Sequence, residues 1–200
     1  MIQKYRPIIL ASQSPRRKEL LGRIVPAFAV CPADVDESMS LACTPKENVY
    51  KLAQRKACAV FKQADPSALV IAADTIVVCD DEILGKPQDE ADALRMLTML
   101  SGRTHQVMTA VCVKTAGQTV TDVSVTDVTF RTLHDGEAQA YIAGGEPMDK
   151  AGAYGIQGAG GLFVSGISGD YYGVMGLPIC MLSEMLRQIC GSPAAEPQKG

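Results

Sequence analysis

The stretch LVIAADTIVVC, residues 69–79, constrains this chain most. Leu69 to Ala73 are apolar without a break, and the apolar run resumes from Ile76 to Cys79. A run with no polar residue at alternate positions marks a strand covered on both faces, which requires a central sheet with layers on each side. Between its halves stand Asp74 and Thr75. A strand that buries both faces and then reaches a carboxylate sets that group at the mouth of a cleft, where α/β sheets bind ligands. A solvated strand end is the equally simple alternative.

Turn and cap residues divide the rest of the chain. Ile8 to Ala11 reads as a short buried strand, followed by a helix with Ser14 as N-cap and Pro15 at the first helical position. A second short strand fits Phe28 to Val30. Thr44, Pro45 and Glu47 form a capping box that opens a helix expected to reach Ala64. Asp80-Asp81 turns the chain back through Ile83-Leu84, and Asp89 to Leu100 is an amphipathic helix with Gly102 near its end. Residues 104–115 and 118–130 predict a long hairpin around Ala116-Gly117. Helix signals return from Asp135 to Ala143 and from Pro178 to Cys190, with short strands expected near Gly161 to Ser165. Strands and helices follow no strict alternating rhythm, so the expected fold is α/β with a mixed sheet and flanking helices. It is expected to be a single domain over residues 1–190, with residues 191–200 a disordered tail.

Composition excludes several classes. The chain is 47% hydrophobic and 20% charged, enough for a sizeable core. A net charge of −3 argues against nucleic-acid binding, and 5% aromatics with no Trp argue against a stacking platform. Seven cysteines without a C-x-x-C pair, beside two histidines, make a zinc site a poor reading and point to a reducing cytoplasm. The apolar run near the N-terminus is too short for a signal peptide, and no stretch approaches the roughly 20 apolar residues of a membrane span.

The polar residues that need explaining are cationic and acidic. In SQSPRRKELLG, residues 12–22, Arg16, Arg17 and Lys18 crowd a helix start, where the dipole is already positive. That placement makes sense if a phosphate docks there, with Arg as a bidentate donor and Ser12 and Ser14 adding hydroxyls. Glu37 and Asp74 together suit a hard divalent cation if they converge, which spacing alone leaves open. Lys56 lies within the apolar face of its helix, and Pro87 holds Lys86 extended; each taken alone reads as an ordinary exposed lysine. With the two arginines they would supply four cations to one polyphosphate. The segment GEPMDKAGAYGIQGAGG, residues 145–161, lacks the G-K-[ST] ending of a Walker loop. Its placed polar groups, Glu146, Asp149, Lys150, Tyr154 and Gln157, suit a close-fitting loop more than a flexible one. No G-x-S-x-G elbow exists for a Ser/His/Asp hydrolase.

These segments together resemble the Maf family of nucleoside triphosphate pyrophosphatases. LASQSPRRKELL, VDES, LAQRKA, AADTIV, ILGKP, LSGRTHQV, GEPMDKAGAYGIQG and SGDYYGVMGLP carry the resemblance, in order, up to about residue 190. It implies two lobes around a central cleft, as in inosine-triphosphate pyrophosphatases, and cytoplasmic hydrolysis of a nucleoside triphosphate to monophosphate and pyrophosphate. It also implies a divalent cation, Mg²⁺ or Mn²⁺, held by Glu37 and Asp74, a homodimer, and a link to division arrest. Asp74 corresponds to the proton acceptor, with Glu37, Lys56 and Lys86 beside it as catalytic groups. Ser12, Ser14, Arg16, Arg17, Thr75 and Gln157 fall on substrate-binding positions. Arg16, Thr75 and Gln157 agree with the branch acting on dTTP and UTP, where Thr75 and Gln157 would read the base and Arg17 the phosphates. A branch acting on 7-methyl-GTP and a non-catalytic nucleotide sensor are the alternatives.

Overall fold

The computed structural model describes Tyr5 and residues 7–191. Most of the expected tail therefore lies outside the described residues. Seven strands form one mixed sheet: β1 (Ile8–Leu10), β2 (Ala29–Val30), β3 (Leu69–Cys79), β4 (Glu82–Leu84), β5 (Thr104–Lys114), β6 (Thr119–Phe130) and β7 (Val164–Ser168). Their order is β2-β1-β3-β5-β6-β7, with β4 also on β3. β1 runs parallel to β2 and β3, and the remaining pairs are antiparallel. The helices are α1 (Pro15–Gly22), α2 (Pro45–Phe61), α3 (Glu90–Leu100), α4 (Glu137–Ala143), α5 (Tyr171–Met175) and α6 (Ile179–Gly191). No helix among the described residues is long and apolar enough to cross a membrane.

The apolar run that marks a central strand is β3, and its pairing creates the site. Val70 to Val78 pair with β5 along one edge. On the other edge, Leu69 to Ile71 pair with β1, and Val77 to Cys79 pair with β4. Ala72 to Ile76 therefore have a strand neighbour on one side only. Asp74 and Thr75 sit in that gap.

Side-chain alternation sends these two residues to opposite faces. Val70, Ala72, Ile76 and Val78 pack with Val49, Ala53, Ala57 and Val60 of α2. Asp74 shares their parity and so faces α2. On the other face, Leu69, Ile71 and Ala73 join a core with α1 and α6. Val77 and Cys79 join a separate core with α3, α4 and Tyr154. Thr75 lies between them, so one sheet face carries two lobes divided at the row of the gap.

Several ends differ from the sequence reading. α2 stops at Phe61 because Gln63 and Ala64 bond back to Val60 and Phe61, tightening the last turn to a three-residue spacing. α4 begins at Glu137, since Gly136 takes φ +77° and breaks helical backbone before it. The strand expected at Gly161 to Ser165 is displaced: Ala159–Phe163 is a 3-10 turn, and β7 follows it. α5 had no signal in sequence; Asp170 starts it by accepting from the N–H groups of Tyr172 and Gly173.

His105 in β5 is 2% exposed, packed edge-on against Phe130 and Tyr154. Its Nε2 lies 2.8 Å from the Tyr154 hydroxyl, and its Nδ1 has no partner among the described residues. Burial pushes its pKa down to about 4. The unfolded chain therefore binds a proton more readily than the folded one below about pH 6.5, so stability falls as pH drops through that range. Relative to His105→Gln, the native protein should lose about 3 kcal/mol between pH 7 and pH 4. Urea unfolding of both proteins at the two pH values measures it; an unchanged difference would refute the neutral, buried imidazole.

Candidate active site

Every candidate site residue, with Glu146, Asp149, Lys150 and Tyr154 of the glycine-rich segment, lines one cleft of about 950 Å³ over the β3 gap, whereas Lys18 does not. Its floor is a three-residue ionic cluster. Lys56 Nζ donates to Asp74 Oδ1 at 2.6 Å and pairs with Glu37 Oε1 at 2.7 Å. The two carboxylates thus converge, through a lysine that the sequence alone reads as exposed. Lys56 is 8% exposed and Asp74 7%. Neither charge could be buried so far without the other. Burial raises the pKa of Glu37, but the Lys56 hydrogen bond and charge, with Lys86 and Arg17, overcome it and hold the carboxyl below its usual range.

α2 positions this cluster by two successive side chains. Lys56 reaches the Glu37 carboxylate, while Arg55 Nη1 and Nη2 donate to the carbonyls of Asp36 and Ser38 at 2.7 and 3.0 Å. The guanidinium fork so brackets Glu37 from both sides along the chain. Asn48 fastens the same loop further on, through Ser40 and Cys43. No sequence signal separated Arg55 from a solvated arginine, since its partners are backbone carbonyls that any residue would offer.

The opposite side of the gap carries α1. Ser14 caps it, accepting from Arg17 N, and Ser14 N in turn donates to Ser12 Oγ. Pro15 has no N–H, so the helix end offers fewer free backbone donors than its dipole suggests. Its anion affinity therefore rests on side chains. Arg17 is fixed: Nε donates to Gly176 O at 2.8 Å, Nη2 to Thr75 Oγ1 at 2.9 Å and Nη1 to Ser12 Oγ at 3.4 Å. A guanidinium has five N–H donors, so two remain for a ligand. Burial lowers its pKa, with Asp74 and Glu37 countering. Among the described residues Arg16 reaches only Asp149, at 3.9 Å. Lys86 makes no hydrogen bond or ion pair among the described residues, leaving its ammonium free at the cleft.

Thr75 differs from its expected part. Its hydroxyl lies 2.9 Å from both Arg17 Nη2 and Thr109 Oγ1, and Thr109 in turn donates to Gly173 O of α5. It holds Arg17 in place and is committed inside the protein. Gln157 is exposed at the cleft on the loop after Tyr154.

Glu37 and Asp74 each keep one oxygen that Lys56 does not take. Among the described residues no group of three or more His, Cys, Asp or Glu is placed to hold a metal ion. Two carboxylates with open oxygens suit Mg²⁺ or Mn²⁺, which take oxygen ligands and complete their shell from phosphates and water. They would not suit a metal needing a full protein cage.

Comparison with known proteins agrees with the geometry. A family profile described as "Maf-like protein" matches residues 7–189. The dTTP/UTP pyrophosphatase of Thermococcus onnurineus is 52% identical over 172 residues, covering 86% of this chain and 92% of that protein. The dTTP/UTP pyrophosphatase of Bacillus velezensis is 48% identical over 181 residues, covering 90% and 95%. Among solved structures, the Staphylococcus aureus Ham1 protein matches with a TM-score of 0.53 at 17% identity, covering 92% of this chain and 100% of that one, a likeness of fold.

Replacing Lys56 by Met leaves Asp74 buried without a counter-charge, which should cost about 3 kcal/mol of stability at pH 7. The same ammonium holds the Glu37 carboxyl below its usual range, and a carboxyl so held stabilises the fold above its unfolded pKa and ceases to as pH falls through the folded one. The gap between native protein and variant should therefore narrow in acid. Denaturant unfolding at pH 7 and about pH 3.5 tests this; a gap independent of pH would mean the Lys56 pairing is not ionic.

Proposed function

The chain belongs to the Maf family, and from that footing we propose that it hydrolyses dTTP and UTP to the monophosphate and pyrophosphate. The observation that carries this reading is the Asp74–Lys56–Glu37 cluster, its lysine and aspartate buried, at the floor of a cleft that also holds Arg16, Arg17 and Lys86. A triphosphate needs cations along its length, and a water needs a fixed carboxylate near the α-phosphorus. The cleft supplies both.

Water attacks the α-phosphorus and loses its proton to Asp74, whose Oδ1 is held by Lys56 while the other oxygen stays open. The bond from the α-phosphorus to the bridging oxygen breaks, and pyrophosphate leaves with that oxygen. Charge accumulates on the leaving group, where Arg17, Arg16 and Lys86 stand as fixed or free cations. A divalent ion on Glu37 and Asp74, when bound, supplies Lewis-acid polarisation of the phosphates. Ser12 and Ser14 keep their hydroxyl protons to donate, because their oxygens accept in the present bonds.

Gln157 reads the base in this scheme. A pyrimidine with a 4-keto group and N3–H offers one donor flanked by acceptors, and a Gln amide pairs with both kinds. Cytosine reverses both groups. Thr75 acts on selectivity through Arg17. The homodimer that the family resemblance implies belongs to the same proposal.

A panel of triphosphates with Mg²⁺, assayed by pyrophosphate release, tests the reading. dTTP and UTP should be turned over about tenfold or more faster than dCTP and 7-methyl-GTP, as expected where a site's hydrogen-bond pattern is mismatched. Asp74→Asn should lower kcat by roughly a hundredfold or more while nucleotide affinity stays within a few-fold. Full activity of that variant would remove Asp74 as the base. No release from any triphosphate would leave a nucleotide-binding protein without this chemistry.

A further inference from the structure

The glycine-rich segment after Tyr154 encloses a carboxylate that the reaction above does not use. Glu146 opens a short 3-10 turn, Glu146–Asp149, just after α4. Its Oε2 accepts from Ala159 N at 3.0 Å, and its Oε1 accepts from the Tyr141 hydroxyl at 3.0 Å and from Gly160 N at 3.5 Å. The Tyr141 oxygen accepts in turn from Gly155 N at 3.1 Å. Two side chains thus take backbone N–H groups from both ends of the segment 155–160. Lys150 Nζ locks the base of the arrangement by donating to the Glu146 carbonyl at 2.6 Å.

The glycines follow from this winding. A Cβ at Gly158 would run into the Glu146 carboxylate. One at Gly160 would stand 2.8 Å from the Tyr141 hydroxyl and 2.9 Å from the Gly155 backbone, closer than real Cβ contacts come. The loop is tight because it passes over a charged acceptor with no side chains between. Tyr141 is itself anchored, 8% exposed and packed edge-on against Phe163 at 5.0 Å. Burial first, and then the Glu146 acceptor, raise the phenol's pKa, so the hydroxyl stays a donor.

Gln157 stands at the crown of this loop, exposed and lining the cleft. We propose that Glu146, with Tyr141, is a positioning residue: its carboxylate is the post around which residues 155–160 are wound, and it thereby sets where Gln157 meets the base. This rests on the reading that Gln157 contacts the base of the nucleotide. Hydrogen bonds from N–H groups to a carboxylate are among the stronger ones. A neutral amide in its place turns an NH₂ donor toward groups that are themselves donors.

The test uses the full chain and three variants, Glu146→Gln, Glu146→Ala and Tyr141→Phe. The last removes one oxygen atom and keeps the packed ring, so it reports even if the others fold poorly. Hydrogen exchange of the 155–160 amides is measured without nucleotide, and pyrophosphate release is measured with dTTP, UTP and dCTP. Exchange should speed up in all three. KM for dTTP should rise about tenfold in the Glu146 variants and less in Tyr141→Phe, with the dTTP-over-dCTP preference falling and kcat within about threefold, the mark of lost positioning. Gln157→Ala should also raise KM by less in the Glu146→Gln background than in the native one, because the two act through one contact. Unchanged exchange overturns the winding. Faster exchange with unchanged KM and preference overturns the link to Gln157, and so does a fall in kcat alone. A native protein that releases no pyrophosphate from any of the three overturns the proposed activity, and the link to base choice with it, while exchange still decides the winding.

Discussion

A lysine ammonium cannot be stripped of water without anions to receive it, and the rest of this structure is arranged around that requirement. Lys56 is drawn from α2 to the floor of the cleft, where Asp74 and Glu37 close on it at 2.6 and 2.7 Å. Such a cluster contributes little net stability, because desolvation offsets most of the attraction. What it contributes is placement. Two carboxylates that would repel each other are held side by side, each with an oxygen open toward the cleft.

The cluster is possible because the sheet is incomplete at one row. β1 and β4 share an edge of β3 but do not meet, and Ala72 to Ile76 lie between them. A continuous neighbour would have filled the space with backbone and left no room for ligand. The strand's alternation then distributes the chemistry. Asp74 turns toward α2 and its lysine, while Thr75 turns toward Arg17, Thr109 and α5. One dipeptide thereby ties the carboxylate of the ionic cluster to one face and the fixed Arg17 guanidinium to the other.

Much of this was legible in the residues. The unbroken apolar pattern of β3, the capping box of α2, the Ser14-Pro15 start of α1 and the Asp80-Asp81 turn are local signals, and local signals act over a few bonds. The 159–163 turn and α5 were not legible, because both depend on packing against segments far away in sequence. Thr126 Oγ1 receives the Asp170 N–H across 44 residues, and Glu146 receives the Ala159 N–H across 13. Lys56 stood out only by its place on an apolar helix face and in the LAQRKA motif, and the adjacent Arg55 had nothing of its own to tell it from a surface cation. Their roles come from a loop ending 17 residues earlier, whose carbonyls and carboxylate α2 happens to face.

The sequence by itself determined most of the elements up to α4, and α6, that a carboxylate interrupts the central strand, and which polar residues stand near helix starts and turns. These are consequences of backbone preference and side-chain periodicity, which each segment carries alone. Only the tertiary structure decided that Asp74 and Glu37 share one ammonium, that Thr75 serves Arg17, and that Glu146 lies under the glycine loop. Those outcomes are set by distance in space. Hydrogen bonds and ion pairs vanish within a few ångströms, and no spacing along a chain fixes which groups the fold brings that close.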